Sequence, residues 1–162
     1  MAPRPPDGTT VVATNRQARR DFEILDTWEA GVVLRGSEVK SLREAKVTLA
    51  DSYARLIGNE VWVLGLHITP YSHAAPHLAP DPRRDRKLLL HRHQIDVMRD
   101  RLAREQLSLV PLMLSFKQGR VKLEIGLARG RRKADKRQAI ATRDAEMEAR
   151  RAMARGGRGP RG

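Results

Sequence analysis

Side chains able to do chemistry are unevenly spread along this chain. Of its five histidines, His73, His77, His91 and His93 share one stretch with Asp81 and Asp85. Imidazole and carboxylate together suit zinc. His73 and His77 stand four apart, but they flank Ala74, Ala75 and Pro76 in a Pro-rich segment that reads as loop, where helical spacing carries no geometry. Glu23 and Asp26 read as strand and turn surface rather than as an acid–base pair. No Gly-x-x-x-x-Gly-Lys-Ser/Thr phosphate loop, dinucleotide fingerprint or nucleophile elbow is present. Cys is absent, which excludes a disulfide framework and thiolate metal ligation. What remains is cationic: the arginines of Asn15-Arg-Gln-Ala-Arg-Arg20, the Lys40/Arg43 region, and a C-terminal fifth with 12 Lys and Arg against 4 Asp and Glu.

The elements that would position these groups follow from pattern. Gly31 and Gly36 bracket the apolar run Val32–Leu34, as glycines do at bends and bulges. Ser37 is then a helix N-cap, and Glu38 sits at the positive end of the helix dipole. Val39 and Leu42 share one face, with Lys40, Ser41 and Arg43 elsewhere. A first strand starts at Phe22–Leu25 and resumes through Val32–Leu34. Ser52–Ile57 and Glu60–Leu66 flank Gly58-Asn59, a two-residue hairpin turn. His67–Pro82 reads as a long mobile loop, Arg86–Leu90 as a strand, and Arg92–Glu105 as a helix with Ile95, Met98 and Leu102 on one stripe. The last hairpin turns at Gln118-Gly119. Its pattern sets Phe116 opposite Val121, Leu114 opposite Leu123 and Leu112 opposite Ile125, with Ser115–Lys122 and Met113–Glu124 on the polar face. Pro111 fits a strand edge or bulge. About six strands, three helical pieces and no βαβ rhythm predict a small closed antiparallel sheet.

Composition bounds the function. The 162 residues amount to one domain with tails: a disordered leader over 1–14, a domain over 15–128, and a basic tail over 129–162 that carries +8 of the net +13. With pI near 11.2, nucleic acid is the first partner to expect. No stretch reaches the roughly 18 apolar residues of a membrane span and no signal-peptide pattern opens the chain, so a cytoplasmic location is expected. The six aromatics, Phe22, Trp28, Tyr53, Trp62, Tyr71 and Phe116, are too scattered to stack a single strand and read mostly as core. Folded RNA gripped by its backbone is the better fit.

Glu29-Ala-Gly31, Gly36-Ser-Glu-Val-Lys-Ser-Leu-Arg43, Asp51-Ser-Tyr-Ala-Arg55, Ile68-Thr-Pro-Tyr71, Arg86-Lys-Leu-Leu-Leu-His91, Leu109-Val-Pro-Leu112, Gly126-Leu-Ala-Arg-Gly130 and Asp135-Lys-Arg137 occur in an order that closely resembles the SmpB family of SsrA-binding proteins. The resemblance runs from about Asn15 to Arg155. It implies an OB-like β-barrel with helices packed around it and a monomer without cofactor or catalysis. Such a protein binds the tRNA-like part of transfer-messenger RNA and carries it to stalled ribosomes, its tail entering the decoding centre and the empty messenger channel. The residues implied to face RNA are Asn15, Arg16, Arg19, Glu29, Lys40, Ser41, Arg43, Lys46 and Lys87. Those implied for the decoding site are Gly130, Arg131, Arg132, Lys133, Asp135, Lys136 and Arg137. The chain departs from the family pattern at Arg20 and Ala134, where many members carry His or an aromatic, and its far tail lacks the Trp of some members. A stable ribosome-associated RNA-binding protein is the alternative reading, and a metal-dependent RNA enzyme a third.

Overall fold

The computed structural model describes residues 8–130. They form nine strands: β1 (Thr9–Thr14), β2 (Phe22–Val32), β3 (Val47–Thr48), β4 (Tyr53–Ile57), β5 (Glu60–Leu64), β6 (His67–Ile68), β7 (Arg86–Leu89), β8 (Ser108–Lys117) and β9 (Arg120–Gly130). Three α-helices, α1 (Arg16–Asp21), α2 (Gly36–Arg43) and α3 (Arg92–Arg104), and a 3-10 turn at Pro76–Leu78 accompany them. The strand count exceeds the six expected, because β1 and the short pair β3–β6 carry too little periodicity to register in sequence.

All pairings are antiparallel. They run β8, β4, β5, β7, β2, β9 and back to β8, a ring of six strands, with β1 on the edge of β8 beyond β4. The alternating apolar residues point into the ring. Val61, Val63, Leu88, Leu114, Leu123, Ile125 and Leu127 are buried there, and α3 adds Ile95 and Met98 with Leu102 half-buried, as its stripe predicts. Both expected hairpins form, with Ile57 opposite Glu60 and Lys117 opposite Arg120. At the second turn Gln118 and Gly119 both take positive φ, 51° and 81°, the primed geometry whose twist matches the flanking strands.

A bulge corrects one expected pair. Phe116–Val121, Leu114–Leu123, Ser115–Lys122 and Met113–Glu124 align as expected, but Pro111 rather than Leu112 stands opposite Ile125. Pro111 has no N–H for the ladder, and the register slips between it and Met113. Leu112 then joins Ala18, Val110 and Ala128, with Phe22 and Ile24 against them, in a second small core apart from the ring interior.

That second core explains α1. Asn15–Arg20 was expected as a charge run before a strand, and 1–14 as a disordered leader. Instead Thr9–Thr14 pairs with β8 from Lys117 to Met113, and Arg16–Asp21 is a helix whose Ala18 is buried in the second core. The pattern is faint because one buried alanine anchors one and a half turns. β2 is also continuous rather than interrupted, with a register shift between Ile24 and Asp26 absorbing its bend. At the other end β9 runs to Gly130, opposite Phe22, so Arg129 and Gly130 belong to the strand and not to the tail. The expected loop His67–Pro82 contains β6 and the 3-10 turn.

Candidate nucleic-acid interface

Helix α2 begins at Gly36 with Arg35, not Ser37, at the N-cap. The Arg35 backbone N–H donates to Glu38 Oε1 at 2.9 Å, satisfying a donor at the helix start. Glu38 is far more than a dipole partner. It is buried, and its carboxylate accepts from Arg84 Nε at 3.1 Å and from Arg86 Nε at 2.7 Å. Arg86 is fully buried and also donates to the Leu66 and Pro82 carbonyls at 2.6 and 3.1 Å. Burial pulls the Glu38 carboxyl upward, but Arg84, the Arg35 N–H and Arg86 together outweigh it and hold the carboxyl below its ordinary value. Burial lowers the Arg86 guanidinium, with Glu38 opposing.

This anchor presents Lys40 and Arg43 at the surface. Lys40 Nζ lies 5.5 Å from the centre of the Tyr71 ring, which meets His73 edge-on at 5.2 Å. Arg43 covers the Phe116 ring at 5.0 Å. Such contacts are worth about 0.5–1 kcal/mol when exposed, enough to orient a long side chain. Tyr71 is half-buried and outside both core clusters, and Tyr53, 46% exposed, is not core either.

The outer face of the sheet carries a second group of charges. Lys117, next to Phe116, pairs with Glu29 on β2. Glu29 faces Glu124 across β9, and Glu124 takes Arg19 of α1 at 3.4 Å. A connected set of contacts thus leads from Lys117 through Glu29 and Glu124 to Arg19 on α1, while Arg43 lies on the Phe116 ring, which faces the opposite, inner side of β8. Arg16 and Arg20 extend the set at α1, exposed and without an ion-pair partner among the described residues. On the same sheet face Lys122 stands opposite Gly31, and Gly31 opposite Leu89, which is 53% exposed. Lys87 is two residues from Leu89 on β7 and pairs with Glu60 at 2.6 Å.

Among the residues expected to face RNA, Arg19 and Glu29 are linked through Glu124 on the outer sheet face, with Arg16 exposed on the same helix as Arg19 and Lys87 further along that face; Lys40 and Arg43 are exposed on α2. Lys46 is exposed and paired with Glu44 at 3.7 Å. Asn15 and Ser41 do not reach the surface. Asn15 is buried as the α1 N-cap: its Oδ1 accepts from the Ala18 N–H at 3.1 Å and its Nδ2 donates to the Pro111 carbonyl at 2.9 Å. Ser41 is buried on the inner side of α2. Asn15 thus holds α1 in place, whereas the buried Ser41 hydroxyl has no hydrogen-bond partner among the described residues. Of the decoding-site set only Gly130 is described, as the last residue of β9; Arg131, Arg132, Lys133, Asp135, Lys136 and Arg137 lie outside the described residues. Glu29 is held by Lys117 of β8.

The readings that sequence missed are Lys117, Lys122, Leu89 and the Glu38–Arg84–Arg86 anchor. Lys122 was legible on the polar face of the last hairpin. Arg86 alternates with the buried Leu88, so its inward position followed from strand periodicity once a buried counter-charge was sought. No group of three or more His, Asp or Glu among the described residues is arranged to hold a metal. No described helix is long and apolar enough to cross a membrane.

Comparison with known proteins shows the family and a similar fold. The family model described as SmpB protein matches residues 12–155. The chain is 49% identical over 159 residues to an SsrA-binding protein of Mycobacterium leprae, covering 98% of this chain and 99% of that one. It is 53% identical over 148 residues to an SsrA-binding protein of Anaeromyxobacter dehalogenans, covering 91% and 90%. A solved chain described under "tmRNA-SmpB: a journey to the center of the bacterial ribosome" superposes with a TM-score of 0.64 at 43% identity, over 79% of this chain and 93% of that one.

Proposed function

The chain belongs to the SmpB family, and from that premise we propose that it is an RNA-binding adaptor that carries the tRNA-like domain of transfer-messenger RNA to stalled bacterial ribosomes. The observation that carries this reading is the set of contacts from Lys117 through Glu29 and Glu124 to Arg19, which gathers cations of β8 and α1 around Glu29, with Lys40 and Arg43 exposed on α2. Cations spaced across a face more than one element wide suit the phosphates of a folded RNA, since phosphate contacts fix position and register while base edges supply identity. Glu29 would repel phosphate, so its part is to accept from a base or to hold Lys117 in place.

In this reading the six-strand ring is a closed OB-like barrel that acts as a rigid platform, and the protein works as a cytoplasmic monomer without catalysis of its own. The mostly basic segment from Gly130 onward acts in the decoding centre and messenger channel, with Gly130, Arg131, Arg132, Lys133, Asp135, Lys136 and Arg137 as the contacts. The test is to recover the protein from its cells and sequence the RNA that accompanies it. Transfer-messenger RNA as the dominant species supports the adaptor. Ribosomal RNA in stoichiometric amount without it would instead identify a structural ribosome-associated protein.

A further inference from the structure

Resting on that RNA-binding reading, we infer that Glu38 is a positioning residue: with Arg84 and Arg86 it locks the 66–86 segment to α2 and so presets Lys40 and Arg43 for RNA. Three separate stretches meet at this carboxylate. The strand-to-helix turn contributes the Arg35 N–H, and Arg84 reaches past Glu38 to the Val33 carbonyl at 3.5 Å. The end of the long loop contributes Arg84, whose carbonyl also accepts from Arg86 Nη1 at 3.1 Å. Arg86 then ties the start of that segment, through the Leu66 carbonyl, to its end, through the Pro82 carbonyl.

The consequence lies in what each stretch carries. The looped segment bears Tyr71 and His73, and α2 bears Lys40, whose ammonium rests over the Tyr71 ring. Two further backbone bonds join the same parts: the Thr69 N–H donates to the Lys46 carbonyl and the Ile68 N–H to the Pro82 carbonyl, both at 3.0 Å. Helix α2 has only eight residues, too few to hold its place by helix propensity alone. Its orientation is set by Leu42 in the core and by this buried charge cluster. A lysine on a wandering helix binds phosphate only after its ordering cost is met; one already stacked on Tyr71 binds without it.

Arg16 and Arg19 on α1 make no contact with this cluster, so they serve as an internal reference. The probe is the isolated tRNA-like domain of transfer-messenger RNA, titrated across salt concentrations against the full chain. Lys40→Ala should lower affinity in the otherwise unchanged protein and do little in a Glu38→Gln background. Arg19→Ala should cost the same in both. The log–log salt slope of Glu38→Gln should shrink by one to two phosphate contacts, about 0.7 to 1.8. A role confined to general stability predicts equal coupling of Glu38 to Lys40 and to Arg19. Should Glu38→Gln fail to fold, Arg84→Gln, which leaves the Glu38–Arg86 pair intact, takes its place in the cycle. Equal costs of Lys40→Ala in both backgrounds, or an unchanged slope, overturn the inference. Absence of binding by the unaltered protein overturns the RNA reading itself, and that failure is visible before any variant is made.

Discussion

Glu29 and Glu124 stand directly opposite each other across β2 and β9, two carboxylates in one cross-strand pair, and each leans to a different cation, Lys117 for Glu29 and Arg19 for Glu124. Like charges so placed repel, and exposed ion pairs return only about 0–1 kcal/mol. The arrangement therefore contributes little to folding and is better understood through its surface. Glu29→Gln should weaken binding of the tRNA-like RNA while changing unfolding free energy by less than about 0.5 kcal/mol. Unchanged affinity would remove Glu29 from the interface.

Binding should be strongly salt-dependent. Arg16, Arg19, Lys40 and Arg43 are exposed, and each phosphate neutralised adds about 0.7–0.9 to the log–log slope. Single Ala variants should each reduce the slope by roughly one contact. A flat salt response would rule out the electrostatic account.

The buried anchor makes stability depend on acid. Because the Glu38 carboxyl is held below its ordinary value of 4.5, its contribution is complete above that value and is lost as pH falls through the lower folded value. Glu38→Gln leaves Arg86 buried without its counter-charge, a change that costs about 3–5 kcal/mol. Denaturant unfolding at pH 7 and pH 3 should find the two proteins far apart at the first and closer at the second. A constant gap would deny Glu38 this role.

Gly126 tests the packing beneath α1. A Cβ there would lie 2.9 Å from Leu112 Cδ1 and 3.2 Å from Ile24 Cγ2, the two side chains that the bulged strands send into the second core. Gly126→Ala should destabilise by about 1–3 kcal/mol, the usual cost of overpacking. Leu112→Ala made together with it should recover part of the loss in thermal unfolding.

Charge and core separate at the end of β9. A chain ending at Gly130 keeps the pairing of Gly130 with Phe22 and the contacts of Arg129 with Glu23 and Glu105; a cut at Ala128 would sever them. The Gly130-terminated protein should unfold within about 0.5 kcal/mol of the whole one. It should still bind the RNA, because α1, α2 and the sheet are intact, and should fail to tag peptides in a stalled-ribosome translation reaction. Asp135→Ala combined with Lys136→Ala and Arg137→Ala should reproduce the loss. Full tagging by the shortened protein would leave the tail no role in rescue.

Sequence by itself determined whatever depends on near neighbours: the Gly58-Asn59 and Gln118-Gly119 hairpins, the Ile95–Met98–Leu102 stripe, and the motifs that mark the family. Alternation and turn chemistry act over a few residues, so they are legible in one dimension. Tertiary structure decided the rest. The bulge at Leu112 depends on Pro111 meeting β9, and α1 exists because that bulge supplies a partner for Ala18. Asn15 and Ser41 have side chains that would suit RNA, yet burial turned them inward, since the α1 cap and the inner side of α2 had first claim on them. Glu38 looked like a dipole partner until Arg84 and Arg86, 46 and 48 residues away, closed on it. A charge can be buried only where an opposite charge arrives to meet it, and no local pattern records that meeting.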